Sequence, residues 1–316
     1  MPFAKVADLA YARLQSPSLD EAEAFLVRFG MTRAERTRDT LYMRGTDPSH
    51  HIHVTHLGPS KFRGLAFRVD SEDELRKFAR APGASGVENI DEPGGGKRVR
   101  VTDPHGYQME VVHGIQTVAP LPVRGHGELN LGTEKLRRAG KLFRLDPGAS
   151  QVKRIAHAVM MTPDAREKIK WYREMFGFVP SDEVYAGQAD NIIATFNRCD
   201  RGDTYVDHHT FLCFENPKVG LNHLSFEVHS FDDLMLGHEH LVRAGKYQHV
   251  WGIGRHLLGS QIYDYWKDPW GRVHEHWADT DVLNIHTPPN LHPVETGLSS
   301  QWGSPPPEDF IGHATP

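Results

Sequence analysis

Residues Arg154-Ile155-Ala156-His157-Ala158-Val159-Met160, followed by Thr162-Pro163-Asp164 and later by Phe176-Gly177, restate a passage met earlier in the chain. The earlier copy runs Val6-Ala7-Asp8-Leu9-Ala10-Tyr11-Ala12-Arg13-Leu14, then Ser16-Pro17, a stretch from Glu21 to Val27, and Phe29-Gly30. Each copy reads as a strand, a helix and a glycine-stopped turn. In the second copy Thr162 or Asp164 is placed to cap a helix whose first turn carries Pro163. Ile169, Tyr172 and Phe176 recur there at spacings of three and four, an apolar stripe that packs on a sheet.

Two more matches lie in register with the first. Gly64-Leu65-Ala66-Phe67-Arg68-Val69-Asp70-Ser71 aligns with His223-Leu224-Ser225-Phe226-Glu227-Val228-His229-Ser230. Asp103-Pro104-His105-Gly106-Tyr107-Gln108-Met109-Glu110 aligns with Asp268-Pro269-Trp270-Gly271-Arg272-Val273-His274-Glu275, and each Asp-Pro-x-Gly reads as a tight hairpin turn. Three collinear repeats indicate a duplicated architecture. The expected fold is α+β, with tandem βαβββ modules, two in each of two domains. Residues 1–115 form the first domain, 116–150 a connector containing Pro120 and Pro122, and 151–283 the second domain. Residues 284–316 form a proline-rich tail, with seven prolines from Pro288 onward, expected to lie extended on the surface or on a neighbouring subunit.

Composition narrows the function classes. The chain has 316 residues, 24% charged and 39% hydrophobic, enough for a sizeable core in two domains. Thirty-six Lys and Arg against 41 Asp and Glu give a net charge of −5, which argues against a nucleic-acid partner. No run is long and apolar enough for a membrane span, and no signal peptide is read at the N-terminus. Cys199 and Cys213 cannot build a disulfide framework, so a cytoplasmic location is expected. Twenty-one histidines are the outlying count, and the question is which of them converge.

The duplication supplies an internal control. At the three anchor positions the second half carries His157, His223 and Glu275, where the first carries Tyr11, Gly64 and Glu110. Two imidazoles and a carboxylate are the ligand set of a facial triad with open coordination positions. The first half keeps only the carboxylate and cannot build that site. Strand alternation puts His157 on the face of Ile155 and Val159, and sends His274 and His276 to the face opposite Glu275. Any one of these histidines alone reads as a hydrogen-bonded structural residue; their coincidence at duplicated positions points to metal.

Around the carboxylate the spacing Gly254-Arg255-His256, eight residues, Tyr265, two residues, Asp268-Pro269-x-Gly271, three residues, Glu275 resembles the signature of type I extradiol ring-cleaving dioxygenases. These belong to the vicinal oxygen chelate, or glyoxalase-like, superfamily, and the resemblance spans the second domain. It departs at Asp264, where the family usually has an apolar residue, a change that bears on the shape of the nearby pocket. In the first half Asp91 and Arg100 stand where His256 and Tyr265 stand in the second. The resemblance implies His157, His223 and Glu275 as ligands of Fe(II), less often Mn(II). It implies His209 as acid–base residue and His256 and Tyr265 as hydrogen-bonding partners of the substrate; if the segment around His209 is a strand, alternation turns its neighbour His208 away. The implied reaction opens a substituted catechol or trihydroxybenzene beside the diol with O2, giving a muconic semialdehyde-type product, in a homo-oligomer of four or more subunits. Two alternatives share the fold: a metal-dependent isomerase, epimerase or thiol transferase, and a non-enzymatic protein that binds aromatic ligands.

Other features carry less. Trp251 and Tyr263 either flank the pocket, with His208 a third candidate there, or pack the module along with Trp266, Trp270 and Trp277. His51 and His53, on one strand face of an exposed cluster from His50 to His56, read as an adventitious metal binder. Gly94-Gly95-Gly96-Lys97 reads as a hairpin loop, Lys135-Leu136-Arg137-Arg138 as a solvated helix face, and the two cysteines as small core residues.

Overall fold

Hydrophobic period switches from two to three-and-four and back again four times along the chain, and each cycle folds as one module. The computed structural model describes residues 2–125, 127–297 and 299–316. The first module comprises β1 (Asp8–Ser16), α1 (Leu19–Arg28), β2 (Thr32–Arg36), β3 (Thr40–Arg44) and β4 (His53–Leu57). The second comprises β5 (Lys61–Arg68), α2 (Glu72–Phe78), β6 (Glu88–Asn89), β7 (Lys97–Thr102) and β8 (Gln108–His113). The third comprises β9 (Val152–Thr162), α3 (Ala165–Phe176), β10 (Phe178–Tyr185), β11 (Ile192–Cys199), the short β12 (Val206–Asp207) and β13 (Phe211–Glu215). The fourth comprises β14 (Gly220–Val228), α4 (Phe231–Ala244), β15 (His249–His256), β16 (Ile262–Lys267) and β17 (Val273–Ala278). The fold is thus α+β, built from tandem βαβββ modules.

Local chemistry explains the boundaries. Ser18, Ser71, Asp164 and Ser230 each accept the backbone N–H three residues on, capping α1 to α4. Pro163 precedes the cap of α3 instead of occupying its first turn, because the Asp164 side chain takes the capping bond from Glu167 N. Gly177 ends α3 in the left-handed region at φ 74°, where a side chain would be strained. Ile169, Tyr172 and Phe176 are buried against the sheet. Both Asp-Pro-x-Gly segments are turns closed by Gly106 N to Asp103 O and Gly271 N to Asp268 O, joining β7 to β8 and β16 to β17.

The first half forms an eight-stranded sheet ordered β2-β3-β4-β1-β5-β8-β7-β6. In the second half the centre repeats the pattern, β13-β9-β14-β17-β16. One face of each sheet packs on helices and on the other half: His274 stacks on His53 at 5.5 Å and His276 on Phe29 at 3.7 Å. The other face of the second sheet curls around a cavity. No helix among the described residues is long and apolar enough to cross a membrane.

Three expectations change. The tail lies on its own chain: after β18 (Val282–Leu283), β19 (Asn290–Pro293) pairs with β10, and β20 (Ser300–Trp302), which follows α5 (Val294–Gly297), pairs with β15. It thereby extends both edges of the sheet, the places where proline's missing N–H is tolerated, and α6 (Glu308–Ile311) folds over the cavity. Lys135 to Arg138 form turns, not a helix, and Leu136 stands 81% exposed. His50, His51 and His53 are buried, not exposed, and His53 is committed to the contact between halves.

Candidate metal centre and active site

The three central strands of the second sheet bring the candidate ligands together. His157 on β9 pairs with Ser225 on β14, and Ser225 pairs with Glu275 on β17, so His157 and Glu275 flank a small residue in one cross-strand row. His223 lies two residues before Ser225 and shares its face. A bulge at Ala156 breaks the alternation expected on β9. Ile155 therefore joins the hydrophobic core, while His157 and Val159 face the cavity.

His157 Nε2 stands 3.1 Å and His223 Nε2 3.5 Å from Glu275 Oε2, and one ligand atom from each of the three falls within 4.8 Å of the others. Two ligands at right angles about 2.1 Å from one ion lie about 3 Å apart, so the spacing suits cis positions of a divalent metal. Despite their proximity, His223 Nε2 and both Glu275 oxygens are buried without a hydrogen-bond partner in the protein. Buried polar atoms left in this state are costly unless something else binds them. Burial would raise the Glu275 carboxyl, but the imidazoles of His157, His223 and His256 hold it well below the usual range. A carboxylate with two nitrogen donors, all pointing at one space, fits a divalent cation such as Fe(II) or Mn(II).

The same test sets aside a second cluster, His238, His249 and Asp264. Asp264 accepts from His238 Nδ1 at 3.1 Å, His249 Nε2 at 2.8 Å and Trp266 Nε1 at 2.6 Å. None of these atoms is orphaned. Asp264 lies on the face of β16 opposite Tyr265, under α4, so its departure from the family pattern does not shape the cavity.

Around the triad, His256 Nε2 meets Tyr265 OH at 2.8 Å and lies 3.6 Å from Glu275 Oε1. Burial and the nearby Glu275 charge push the Tyr265 phenol well above its ordinary value, so it keeps its proton. His209 sits in the bend between β12 and β13 with its ring 4.1 Å from that of His157. Burial, and then the neighbouring His157 and His208, hold His209 well below the ordinary imidazole value, which favours its neutral form. His208 turns the other way, with Nε2 2.8 Å from Asp182, and does not line the cavity.

The cavity measures about 250 Å³, and its wall includes Trp251. Tyr263 is one layer behind, stacked on His256 at 4.0 Å with its hydroxyl on Ser300 Oγ, so it supports the site without facing it. Cys199 and Cys213 are buried, their thiols pushed up to about 12 by burial, which leaves them inert core residues.

Two contributions were not visible beforehand. Asn222 is the extra residue of a bulge on β14. Its amide nitrogen donates to Phe310 O and His313 O, so Oδ1 faces His223 Nδ1 at 2.7 Å. That contact keeps the proton on Nδ1 and leaves Nε2 free for a metal. The second is the tail, from which Val294, Pro306, Phe310 and Ile311 line the cavity. An Asn beside a candidate ligand was the one available signal; the reach of the tail had none.

This fold places the chain among the vicinal oxygen chelate proteins, and it belongs to the Glyoxalase/Bleomycin resistance protein/Dioxygenase superfamily, matched over residues 8–111 and 154–275. It is 28% identical over 302 residues to metapyrocatechase 2 of Cupriavidus necator, covering 94% of this chain and 89% of that protein. In structure it resembles homoprotocatechuate 2,3-dioxygenase of Brevibacterium fuscum, with a TM-score of 0.81, 20% identity and coverage of 99% and 94%. It also resembles a Mn(II)-bound glyoxalase of Novosphingobium aromaticivorans, with a TM-score of 0.79, 22% identity and coverage of 99% and 97%.

Proposed function

We propose that the protein is an extradiol dioxygenase that opens a catechol ring with O2 at a metal held by His157, His223 and Glu275. The observation that carries this reading is the imidazole–carboxylate triad, with His223 Nε2 and both Glu275 oxygens unpartnered, facing a mostly apolar cavity that also contains a neutral histidine. The metapyrocatechase relative and the ring-cleaving structural neighbours support the choice of reaction. Fe(II), or Mn(II), would supply Lewis acidity toward the substrate hydroxyls and the one-electron chemistry that lets dioxygen react.

The chain supplies the rest. His209 has Nδ1 engaged by His208 Nδ1 at 3.1 Å, so Nε2 is left to take a hydroxyl proton and return it during cleavage. The His256–Tyr265 pair presents a donor that keeps its proton and a partner imbalanced toward neutrality, orienting the substrate oxygens. Trp251 lies parallel to Tyr265 at 5.3 Å and lines the cavity beside it, fixing the plane of that phenol.

Within this reading, 1–115 is a non-catalytic domain, 116–150 a connector and 151–283 the metal-binding domain. The protein works as a cytoplasmic homo-oligomer; the 81% and 86% exposure of Leu136 and Leu142 on the connector supports burial against another copy, which light scattering checks. The deciding experiment is anaerobic loading with Fe(II) or Mn(II), then addition of catechols and air. A yellow product with one O2 consumed per catechol supports the reading; full metal loading with no oxygen uptake across a catechol panel refutes it.

A further inference from the structure

The cavity wall beyond the metal end is conspicuous for what charge it carries. His157, His209, His223, His256 and Tyr265 gather at one end. The rest of the wall includes Val184, Ile193, Phe214 and Leu258, with Val294 and Pro306 from the tail, while Phe196, 5.1 Å from the His209 ring, and Phe310, 4.8 Å from that of Tyr265, close the metal end with further apolar surface. Among the described residues no lysine or arginine lines the cavity. Cations on the same elements are committed elsewhere. Arg198 on β11 donates to the carbonyls of Pro180, Asn284 and Thr287. Arg255 on β15 donates to Ser260 O and pairs with Asp279 at 2.7 Å, and Lys218 donates to Gly312 O at 2.8 Å. The one formal charge on the lining away from the metal end is Glu215, exposed at the rim and of the sign that repels an anion.

One polar group is left over. Gln261 is 1% exposed and lines the cavity, and neither atom of its side-chain amide has a partner in the protein. A neutral amide can donate to and accept from a hydroxyl or carbonyl. It cannot offset the desolvation of a carboxylate, which needs a cation or several charged hydrogen bonds.

We propose that this site takes uncharged catechols bearing an apolar alkyl or aryl substituent and rejects those bearing a carboxylate, with Gln261 accommodating one neutral hydrogen-bonding group. The proposal rests on the ring-cleavage reading for its reaction, but its selectivity is a property of the wall and is readable by binding alone. The metal-loaded protein is compared on 3- and 4-methylcatechol and 3-phenylcatechol against 3,4-dihydroxybenzoate and 3,4-dihydroxyphenylacetate. Two readouts are taken: kcat/KM in air, and Kd by calorimetry without oxygen. Both should favour the uncharged set by about 100-fold or more. Comparable or reversed values for the carboxylated set overturn the proposal. Absence of oxygen uptake with a preserved binding preference sinks the ring-cleavage reading and leaves the selectivity standing. Gln261→Arg, which sets a guanidinium in the wall, should retain metal and narrow the preference at least tenfold; if it retains metal and leaves the preference unchanged, the wall charge is not the determinant. Should that variant fail to fold, the wild-type ratio still decides.

Discussion

The two halves place the same buried carboxylate in the same cross-strand row and treat it in opposite ways. In the first, Tyr11, Ala66 and Glu110 form the row; in the second, His157, Ser225 and Glu275 do. Glu110 accepts from Tyr11 OH at 2.5 Å and from Arg13 Nε at 3.2 Å, and Arg13 also pairs with Glu92 at 2.8 Å. A guanidinium from the chain supplies there the positive charge that Glu275 lacks. Arg13 aligns with Val159, one strand over from Gly64, which stands where His223 does. Gly64 has φ +152°, and a Cβ would fall 1.7 Å from Gln108 O, so no histidine fits. Closure by an internal ion pair in one half, and orphaned donors in the other, is what separates a structural module from a candidate catalytic one.

The most damaging change to this contrast is on the metal side. His223→Ala should abolish metal retention after dialysis, because two ligands hold an ion poorly against water; an iron-replete, active variant would refute the triad. Next, His209→Ala should keep its metal and lose about 10²–10⁴ in turnover, the usual worth of a positioned acid–base group. A rate equal to wild type would shift that role to another residue. On the other side, Arg13→Met leaves Glu110 buried beside a phenol that keeps its proton, with only Arg98, 3.6 Å away, as a cation. It should cost about 1–3 kcal/mol in urea unfolding with no change in metal content per folded molecule. Loss of metal with intact stability would show that the halves are not divided in this way.

The seam between the halves is tested by acid. Burial holds His274 down at about 4 and His53 well below its ordinary 6.5. Below pH 6.5 the unfolded chain binds protons that the folded one refuses, so stability falls as pH drops from about 6.5 toward 4. For His274 alone the loss reaches about 3 kcal/mol at the acid end. Denaturation midpoints measured across that window should slope accordingly, and less so in His274→Gln; identical slopes would clear the seam of responsibility. The smallest expected effect belongs to Asn222→Leu, which frees the Nδ1 side of His223 and should weaken metal affinity about 10–100-fold without unfolding the protein. An unchanged affinity would mean the imidazole is oriented by packing alone.

How much was legible depended on the range of the forces involved. Strand and helix periods, caps and Asp-Pro-x-Gly turns are local, so the four modules could be read from residue order. Duplication added a comparison between halves that singled out His157, His223 and Glu275, and the spacing around them carried the likeness that brought in His209, His256 and Tyr265. Ile155 was placed on the wrong face because a bulge at Ala156 inserts one residue into the pairing, and only the partner strand β14 reveals it. Tyr263 shares a strand with Tyr265 yet stands behind His256, a matter of how β15 and β16 curl.

Residue order by itself determined the repeated modules and the difference between their anchor residues, since both follow from neighbours along the chain. Tertiary structure alone decided that Asn222 orients a candidate ligand, that Asp264 turns away from the cavity, and that residues within 294–311 contribute to its wall. Each of those depends on contacts between segments far apart in sequence, whose meeting is fixed by sheet register and packing.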